Sequence, residues 1–144
     1  MSHDHGPVDQ WRSFPPFYGH LGLELESLAE GRGVIRLPRK DEFCNSRGEV
    51  HGGIVASLLD IALSQAVRSA LSPTTSCATI SLNLNYLGPA FGNLKCRAVI
   101  VRSGRRIAFA EGEVIDEKGD AVCKAIGTYR IIVPKTGTAP TGGK

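Results

Sequence analysis

The sequence lacks the residue patterns that hold metal ions and bind nucleic acids. Its four cysteines show no C-x-x-C spacing and no nearby pair of histidines; they are Cys44, Cys77, Cys96 and Cys123. A zinc site is therefore not expected, and no other metal or cofactor is predicted. The formal net charge is +3 and most basic residues are spread along the chain, which is too weak a pattern for a nucleic-acid-binding surface.

The sequence also lacks an apolar segment suited to entering or crossing a membrane. No apolar signal region stands at the N-terminus,. The longest apolar stretch, residues 54–71, is interrupted by Asp60, Gln65 and Arg68, which disfavours a transmembrane helix. We therefore expect no membrane partner, a cytoplasmic location and free thiols.

The apolar content that is present is enough for one folded domain. The chain has 144 residues, of which 42% are hydrophobic, and no internal repeat,. We expect a single domain over residues 1–144 with a core at about residues 18–132. Residues 1–10 and 134–144 have little to bury and are predicted to be disordered.

Residues 45–71 organise the chain. From Ile54 onward this stretch has no proline or glycine and is rich in alanine and leucine, which predicts a helix that is apolar around most of its circumference and therefore buried. Ser57, Asp60, Ser64 and Arg68 are three or four positions apart, so they form one narrow polar stripe. A carboxylate in a buried helix is costly unless a partner satisfies it or a reaction uses it.

The residues just before this helix are His51, Gly52 and Gly53. Two glycines leave the first backbone N–H groups open to close approach by a ligand, at the positive end of the helix. The sequence therefore places a buried carboxylate and a glycine-lined helix N-terminus within nine residues of each other. This pairing is the main indication of a functional site.

Strands are predicted on both sides of the central helix. The clearest is residues 79–86, in which Ile80, Leu82, Leu84 and Tyr86 alternate with polar residues,. A short helix or turn is predicted at residues 11–18. Further strands are predicted over residues 21–28, 34–37, 94–102, 106–115 and 121–132.

Small residues occupy one face of each of the last two predicted strands. Ala108, Ala110 and Gly112 share a face of one strand; Ala121, Cys123, Ala125 and Gly127 share a face of the next. Small side chains allow a bulky element to lie close to a sheet, and the central helix is the apolar element available. The predicted fold class is α+β, an antiparallel sheet curled around one long helix.

Three segments together carry a resemblance to a known family. The stretch N-x-x-G-x-V-H-G-G-x-x-x-x-L-x-D, the strand T-I-S-L-N-L-N-Y-L-G-P-A and the hairpin V-R-S-G-R-R resemble the PaaI-like hotdog-fold acyl-CoA thioesterases. The likeness extends from about Tyr18 to Ile132. It implies a hotdog fold, in which two protomers join their sheets side by side, and a homodimer or homotetramer with active sites at the dimer interface.

The resemblance also implies roles for individual residues. Asp60 would be the catalytic carboxylate, and the backbone N–H of Gly52 from the other protomer would polarise the thioester carbonyl. Asn45 and Thr79 would position the attacking water or the thioester. His51 would shape the turn, and its side chain would make a secondary contact with the substrate. Whether Asp60 activates water or attacks directly to give an anhydride is open at this stage.

Further residues are expected to contact the substrate. Gly53, Ser64 and Asn83 belong to this group, as do the three arginines around a predicted hairpin turn, Arg102, Arg105 and Arg106. Arginine suits bidentate contact with the phosphates of coenzyme A. The alternative is that this hairpin is a solvated tip, and for Asp60 the alternative is a structural pairing with Arg68, Ser64 or a backbone donor.

The predicted function is hydrolysis of an acyl-CoA thioester to a free acid and coenzyme A. Two other functions compete with it. A non-catalytic acyl-CoA-binding module would share the fold but has no use for Asp60. An acyl-CoA hydratase or dehydratase typically needs a histidine and a carboxylate acting together.

Overall fold

The computed structural model describes residues 11–135, so the predictions of disorder for residues 1–10 and 136–144 lie outside the described part. Pro134 and Lys135 lie inside it and have no regular secondary structure. Besides a short 3-10 turn at Asp41–Phe43, the elements are helix α1 (Pro16–Leu21), strands β1 (Glu24–Ala29) and β2 (Arg32–Leu37), helix α2 (Gly52–Ser69), and strands β3 (Ser76–Tyr86), β4 (Leu94–Ser103), β5 (Ile107–Ile115) and β6 (Ala121–Ile132).

The strands form one antiparallel sheet in the order β1-β2-β4-β5-β6-β3. Helix α2 packs across one face and contacts every strand, and much of its surface is buried in the core. The predicted α+β arrangement, a sheet around one long helix, is confirmed. Neither helix of residues 11–135 combines the length and apolar character needed to span a membrane.

The central helix lies close to the sheet because β5 and β6 carry small residues where it passes. Gly112 pairs with Ala125, and Ala110 pairs with Gly127. Leu63 of α2 lies over them: a β-carbon at Gly112 would come within 2.7 Å of its Cδ1 atom, and one at Gly127 within 3.1 Å of its Cδ2 atom. The close approach predicted from the small residues is confirmed.

Several elements begin at positions other than those predicted, and for α2 and β1 the structure shows the cause. Helix α2 starts at Gly52 rather than Ile54, because the side chain of His51 caps the first turn. Strand β1 starts later than predicted, at Glu24, because α1 occupies the preceding residues and Gly22 turns the chain with a φ of 74°. In both places a hydrogen bond or a left-handed turn decides the boundary, not the hydrophobic pattern.

The C-terminal end of α2 is held by Arg12. Its guanidinium donates hydrogen bonds to the carbonyl oxygens of Arg68 (2.6 Å), Leu71 (3.0 Å) and Ser72 (2.6 Å), which lie in the last turn of the helix and just beyond it. The buried side chain of Gln65 accepts the Arg12 N–H and donates to the Arg12 carbonyl oxygen. The helix that carries Asp60 is thus fixed at the end opposite its glycines.

Candidate active site

Asp60 lies halfway along α2 and turns its carboxylate toward β3 and β6. The Thr79 hydroxyl donates a 2.8 Å hydrogen bond to Asp60 Oδ1, and the Tyr129 hydroxyl donates a 3.0 Å hydrogen bond to the same oxygen. No group in residues 11–135 donates to Oδ2. One carboxylate oxygen is held, and the other is open to a water molecule or a substrate atom.

Neither side chain proposed as a structural partner of Asp60 bonds to it. The Ser64 hydroxyl donates to the carbonyl oxygen of Ile61 within the helix, at 2.9 Å. Arg68 donates to the carbonyl oxygens of Arg12 and Cys77, at 3.1 and 3.3 Å. The prediction that Asp60 pairs with Ser64 or Arg68 is therefore wrong. Ser64 was also predicted to contact the substrate, but its hydroxyl donates to a carbonyl oxygen within the helix.

Tyr129 stays a hydrogen-bond donor. Its side chain is completely buried, and burial raises the pKa of Tyr129, helped by the negative charge and hydrogen bonding of Asp60. The hydroxyl is therefore protonated at neutral pH and donates to the carboxylate. Sequence reasoning missed this residue. The signal was available, because Tyr129 continues the alternation of Ala125 and Gly127 on the face of β6 that meets α2.

The first turn of α2 leaves one N–H group without an acceptor in the described residues. The Gly53 N–H donates to His51 Nδ1 at 3.0 Å, while the N–H groups of Ile54 and Val55 donate to the His51 carbonyl oxygen. The Gly52 N–H remains. The sequence favoured two open glycine N–H groups; the structure uses that of Gly53 within the turn and leaves that of Gly52 for a ligand.

Tyr86, at the end of β3, covers this turn. Its hydroxyl donates a 2.7 Å hydrogen bond to the Gly52 carbonyl oxygen. Partial burial raises the pKa of Tyr86, so the hydroxyl keeps its proton. A β-carbon at Gly52 would lie 3.1 Å from the Tyr86 hydroxyl oxygen, which is why the position suits glycine. The alternating pattern placed Tyr86 in a strand but did not predict a role for it in the site.

Asn45 lies near the same turn, and its amide shapes the preceding loop. Its Oδ1 accepts the N–H groups of Arg47 and Glu49 at 2.9 and 3.1 Å, and its Nδ2 donates to Glu49 at 3.1 Å. Hydrogen bonds lower the pKa of Glu49; the one from Arg47 has the larger effect and the one from Asn45 the smaller. Asn45 thus lines the same cleft as Gly52, with most of its hydrogen-bonding capacity used within the loop.

A cleft of about 640 Å³ lies at the start of α2, next to Asn45, Gly52 and Tyr86; Asp60 does not line it. Charged side chains stand on the loop before α2, whereas apolar and aromatic side chains come from α2 and the end of β3. The lining includes Asn45, Arg47, His51, Gly52, Val55 and Tyr86. The cleft thus combines apolar side chains, the Arg47–Glu49 ion pair and the open helix N-terminus, where an anionic group of a ligand is stabilised,.

Gly52 and Asp60 of one chain cannot act on the same carbonyl group. They are eight positions apart on one helix, which corresponds to about 12 Å at the helical rise. Thr79 and Tyr86, which bond to them, lie toward opposite ends of β3. The described chain therefore carries these two groups at separate places.

The remaining predicted residues lie away from Asp60. Asn83 pairs with Ile126, and both side chains project from the sheet face opposite α2, where they are exposed. Arg102, Arg105 and Arg106 are exposed around the turn between β4 and β5. This turn lies at the same end of the sheet as Thr79, because Ala108 pairs with Tyr129 and Tyr129 pairs with Thr79.

Within the described residues of one chain, His51 and Asp60 do not form the histidine–carboxylate pair that a hydratase needs. Asp60 is held by Thr79 and Tyr129, while His51 bonds to Gly53 at the start of the helix. Within residues 11–135 no group of three or more histidine, cysteine, aspartate or glutamate side chains is arranged to hold a metal.

The chain is similar to known proteins over most of its length. Residues 47–123 match the family model described as Thioesterase superfamily. A Halobacterium salinarum protein provisionally named an esterase is 37% identical over 122 residues, covering 77% of this chain and 81% of its own. A medium/long-chain acyl-CoA thioesterase of Escherichia coli is 26% identical over 132 residues, covering 81% of this chain and 85% of its own.

A solved structure carries the same fold. A variant of the phenylacetic acid degradation protein PaaI from Thermus thermophilus superposes with a TM-score of 0.73 at 29% identity, covering 81% of this chain and 98% of its own. The resemblance noted in the sequence is confirmed, and the sheet wrapped around α2 is the predicted hotdog fold.

Proposed function

The chain belongs to the thioesterase superfamily and is a thioester hydrolase, and from this premise we propose that it hydrolyses acyl-CoA with Asp60 as its catalytic carboxylate. The observation that carries the proposal is the asymmetry of that carboxylate. Thr79 and Tyr129 both hold Oδ1, so Oδ2 is the oxygen free to react.

The Asp60 carboxylate either activates the water that attacks the thioester carbonyl or attacks that carbonyl itself. In one route Oδ2 takes a proton from water, the water oxygen attacks the carbonyl carbon, and the carbon–sulfur bond breaks as the thiolate takes that proton. In the other route Oδ2 attacks the carbonyl carbon, coenzyme A leaves, and water hydrolyses the anhydride. Both routes use the same oxygen, and both pass through an oxyanion.

The Gly52 N–H is the donor we assign to that oxyanion. It stands at the positive end of α2, where backbone N–H groups stabilise negative charge. His51 and Tyr86 hold the adjoining peptide unit from both sides, so the donor is fixed before substrate arrives. Fixed donors stabilise a developing charge without reorganising during the reaction.

A second protomer brings the two halves of the site together. Strand β3 is eleven residues long and lies at an edge of the sheet, and Ile80 and Tyr86 on it are each 55% exposed. An exposed edge of this kind pairs with another chain. In a two-fold antiparallel pairing, the Thr79 end of one β3 lies against the Tyr86 end of the other, which brings Asp60 of one protomer toward Gly52 of its partner.

The function is tested by measuring thiol release from a panel of acyl-CoA thioesters with wild type and Asp60→Asn. The amide keeps the shape of the carboxylate but is neither a base nor a nucleophile, so we expect turnover to fall by roughly 10²–10⁴-fold. Asp120→Asn, in the exposed turn between β5 and β6, is the matched control and should keep wild-type turnover. A folded Asp60→Asn protein with near-normal turnover would remove Asp60 from the mechanism.

A further inference from the structure

We propose that Tyr129 is a positioning residue for this reaction, which holds the Asp60 carboxylate in the one orientation that presents Oδ2 to the thioester. The inference rests on the proposed role of Asp60. The Tyr129 hydroxyl lies 3.0 Å from Asp60 Oδ1 and 3.4 Å from the Asp60 carbonyl oxygen. The tyrosine therefore contacts both the side chain and the backbone of the residue that reacts.

Two strands hold the same carboxylate oxygen. Thr79 on β3 and Tyr129 on β6 are cross-strand partners, and both donate to Oδ1. Rotating the Asp60 side chain away from this position would break both hydrogen bonds at once. The carboxylate is thus locked with one oxygen turned inward and the other left without a donor in the described residues.

The position of the Tyr129 ring is itself set by packing. A β-carbon at Gly127 would come within 2.6 Å of Tyr129 Cε2 and 2.9 Å of its hydroxyl oxygen. The ring therefore occupies the space next to Gly127 that any larger residue at that position would fill. Leu63 of α2 borders the same space from the helix side. Because the ring is completely buried, the hydroxyl has little freedom to move away from Asp60.

Positioning and a purely electronic effect predict opposite results when the hydroxyl is removed. Hydrogen-bond donors to a carboxylate favour its charged form and weaken it as a base. Losing a donor would therefore speed proton abstraction if the effect were electronic alone. If the hydroxyl instead holds Oδ2 in place, its loss slows the reaction, because a misplaced reacting atom lowers the rate.

The experiment compares wild type, Tyr129→Phe and the control Tyr18→Phe for acyl-CoA turnover and thermal unfolding. Tyr18 is also a buried tyrosine, but its hydroxyl accepts from Gln65 rather than donating to Asp60. We expect Tyr129→Phe to lower kcat by about 10-fold with KM changed by less than about twofold, and Tyr18→Phe to keep wild-type kcat. A folded Tyr129→Phe protein with wild-type or faster turnover overturns the inference.

A second comparison shows whether Tyr129 acts through Asp60. Residues that act through one another have non-additive effects. In the Asp60→Asn background the Tyr129→Phe change should therefore cause little further loss of the residual turnover. A full additional loss of about 10-fold in the double variant would mean that Tyr129 acts independently of Asp60, and this too would overturn the inference.

Failure of the proposed function is distinguishable from failure of this inference. Wild type that hydrolyses no thioester, or Asp60→Asn with normal turnover, would refute the function. The crystal structure of Tyr129→Phe then tests the inference without activity. We expect the Asp60 carboxylate to rotate or to occupy two conformations there. A carboxylate that keeps its single wild-type conformation would show that Tyr129 does not position it.

Discussion

The Tyr86 hydroxyl donates a 2.7 Å hydrogen bond to the carbonyl oxygen of Gly52. On the other side of the same peptide unit, the Gly53 N–H donates to His51 Nδ1. The peptide between the two glycines is thus held at both ends, although glycine itself is the least restricted residue. What the glycines contribute is space for Tyr86 and for a ligand, while the side chains of Tyr86 and His51 supply the rigidity.

This relationship predicts the effect of Tyr86→Phe. The variant keeps the ring against Gly52 and removes only the hydroxyl, so the cleft should keep its shape while the first turn of α2 loosens. We expect kcat for acyl-CoA to fall by roughly 5–10-fold, as a neutral hydrogen bond of about 1 kcal/mol is lost from the support of the oxyanion donor. Steady-state kinetics measure the fall, and thermal unfolding checks the fold. Unchanged kcat in a folded variant would show that His51 alone fixes the turn.

A second prediction concerns the division of the site between protomers. Asp60→Asn removes the carboxylate, and Gly52→Val fills the space beside Tyr86, where even a β-carbon would lie 3.1 Å from the hydroxyl oxygen. Each variant should be inactive alone. An equal mixture after subunit exchange should recover about a quarter of wild-type activity, because half of the dimers are hybrid and each hybrid has one intact site.

The control for this mixture is subunit exchange itself, which native mass spectrometry of differently labelled protomers can follow. Two Asp60→Asn preparations mixed in the same way should recover nothing. Complete exchange between the two different variants without any recovered activity would contradict a site shared across β3.

The architecture was predictable where local sequence pattern and packing agree. Alternation identified β3, and the small residues of β5 and β6 correctly predicted the close approach of the helix, which the contact between Leu63 and Gly112 confirms. The start of α2 was predicted too late, since two glycines have poor helix propensity. The His51 side chain offsets that weakness by capping the turn.

The details of the site were less predictable because they depend on pairs far apart in the sequence. Asp60 and Tyr129 are 69 positions apart, and no periodicity links them. The pairing of β3 with β6 is what brings Tyr129 beside Thr79. Sequence pattern could place Tyr129 on the inner face of its strand, but only the strand order shows which helix residue it meets.

A third prediction concerns stability at alkaline pH. Cys96 is completely buried, and burial raises the pKa of its thiol well above the ordinary value. Below an ordinary thiol pKa of about 8.5, both the folded and the unfolded chain keep the proton, so the full stability is present. Above that pH the unfolded chain loses the proton while the folded chain retains it, and the free energy of unfolding decreases.

Urea unfolding between pH 8 and pH 10 measures this decrease, which should approach about 1.4 kcal/mol per pH unit for each such thiol. Cys96→Ala removes the ionisable group, so its stability should be lower at pH 8 but should decline less steeply with pH. An equally steep decline in Cys96→Ala would assign the alkaline loss to other groups.

The last prediction concerns the turn between β4 and β5. Arg102, Arg105 and Arg106 are exposed there, at the end of the sheet that also holds Thr79, whose hydroxyl donates to Asp60. Coenzyme A carries its phosphates far from the thioester, so phosphate contacts belong at the rim of a site and are made alike in the ground and transition states. Replacing Arg105 and Arg106 by alanine should therefore raise KM for acyl-CoA several-fold and leave kcat nearly unchanged.

Two further measurements and one control variant separate phosphate binding from a general loss of charge. Exposed contacts are screened over about 8 Å at physiological ionic strength, so the rise in KM should shrink in high salt. Short thioesters without the nucleotide should be hydrolysed equally by both proteins. Arg97→Ala, exposed on the outer face of β4, removes a positive charge elsewhere and should leave KM unchanged. If KM for acyl-CoA does not move in the double variant, this turn is a solvated tip and the phosphates bind at another part of the surface.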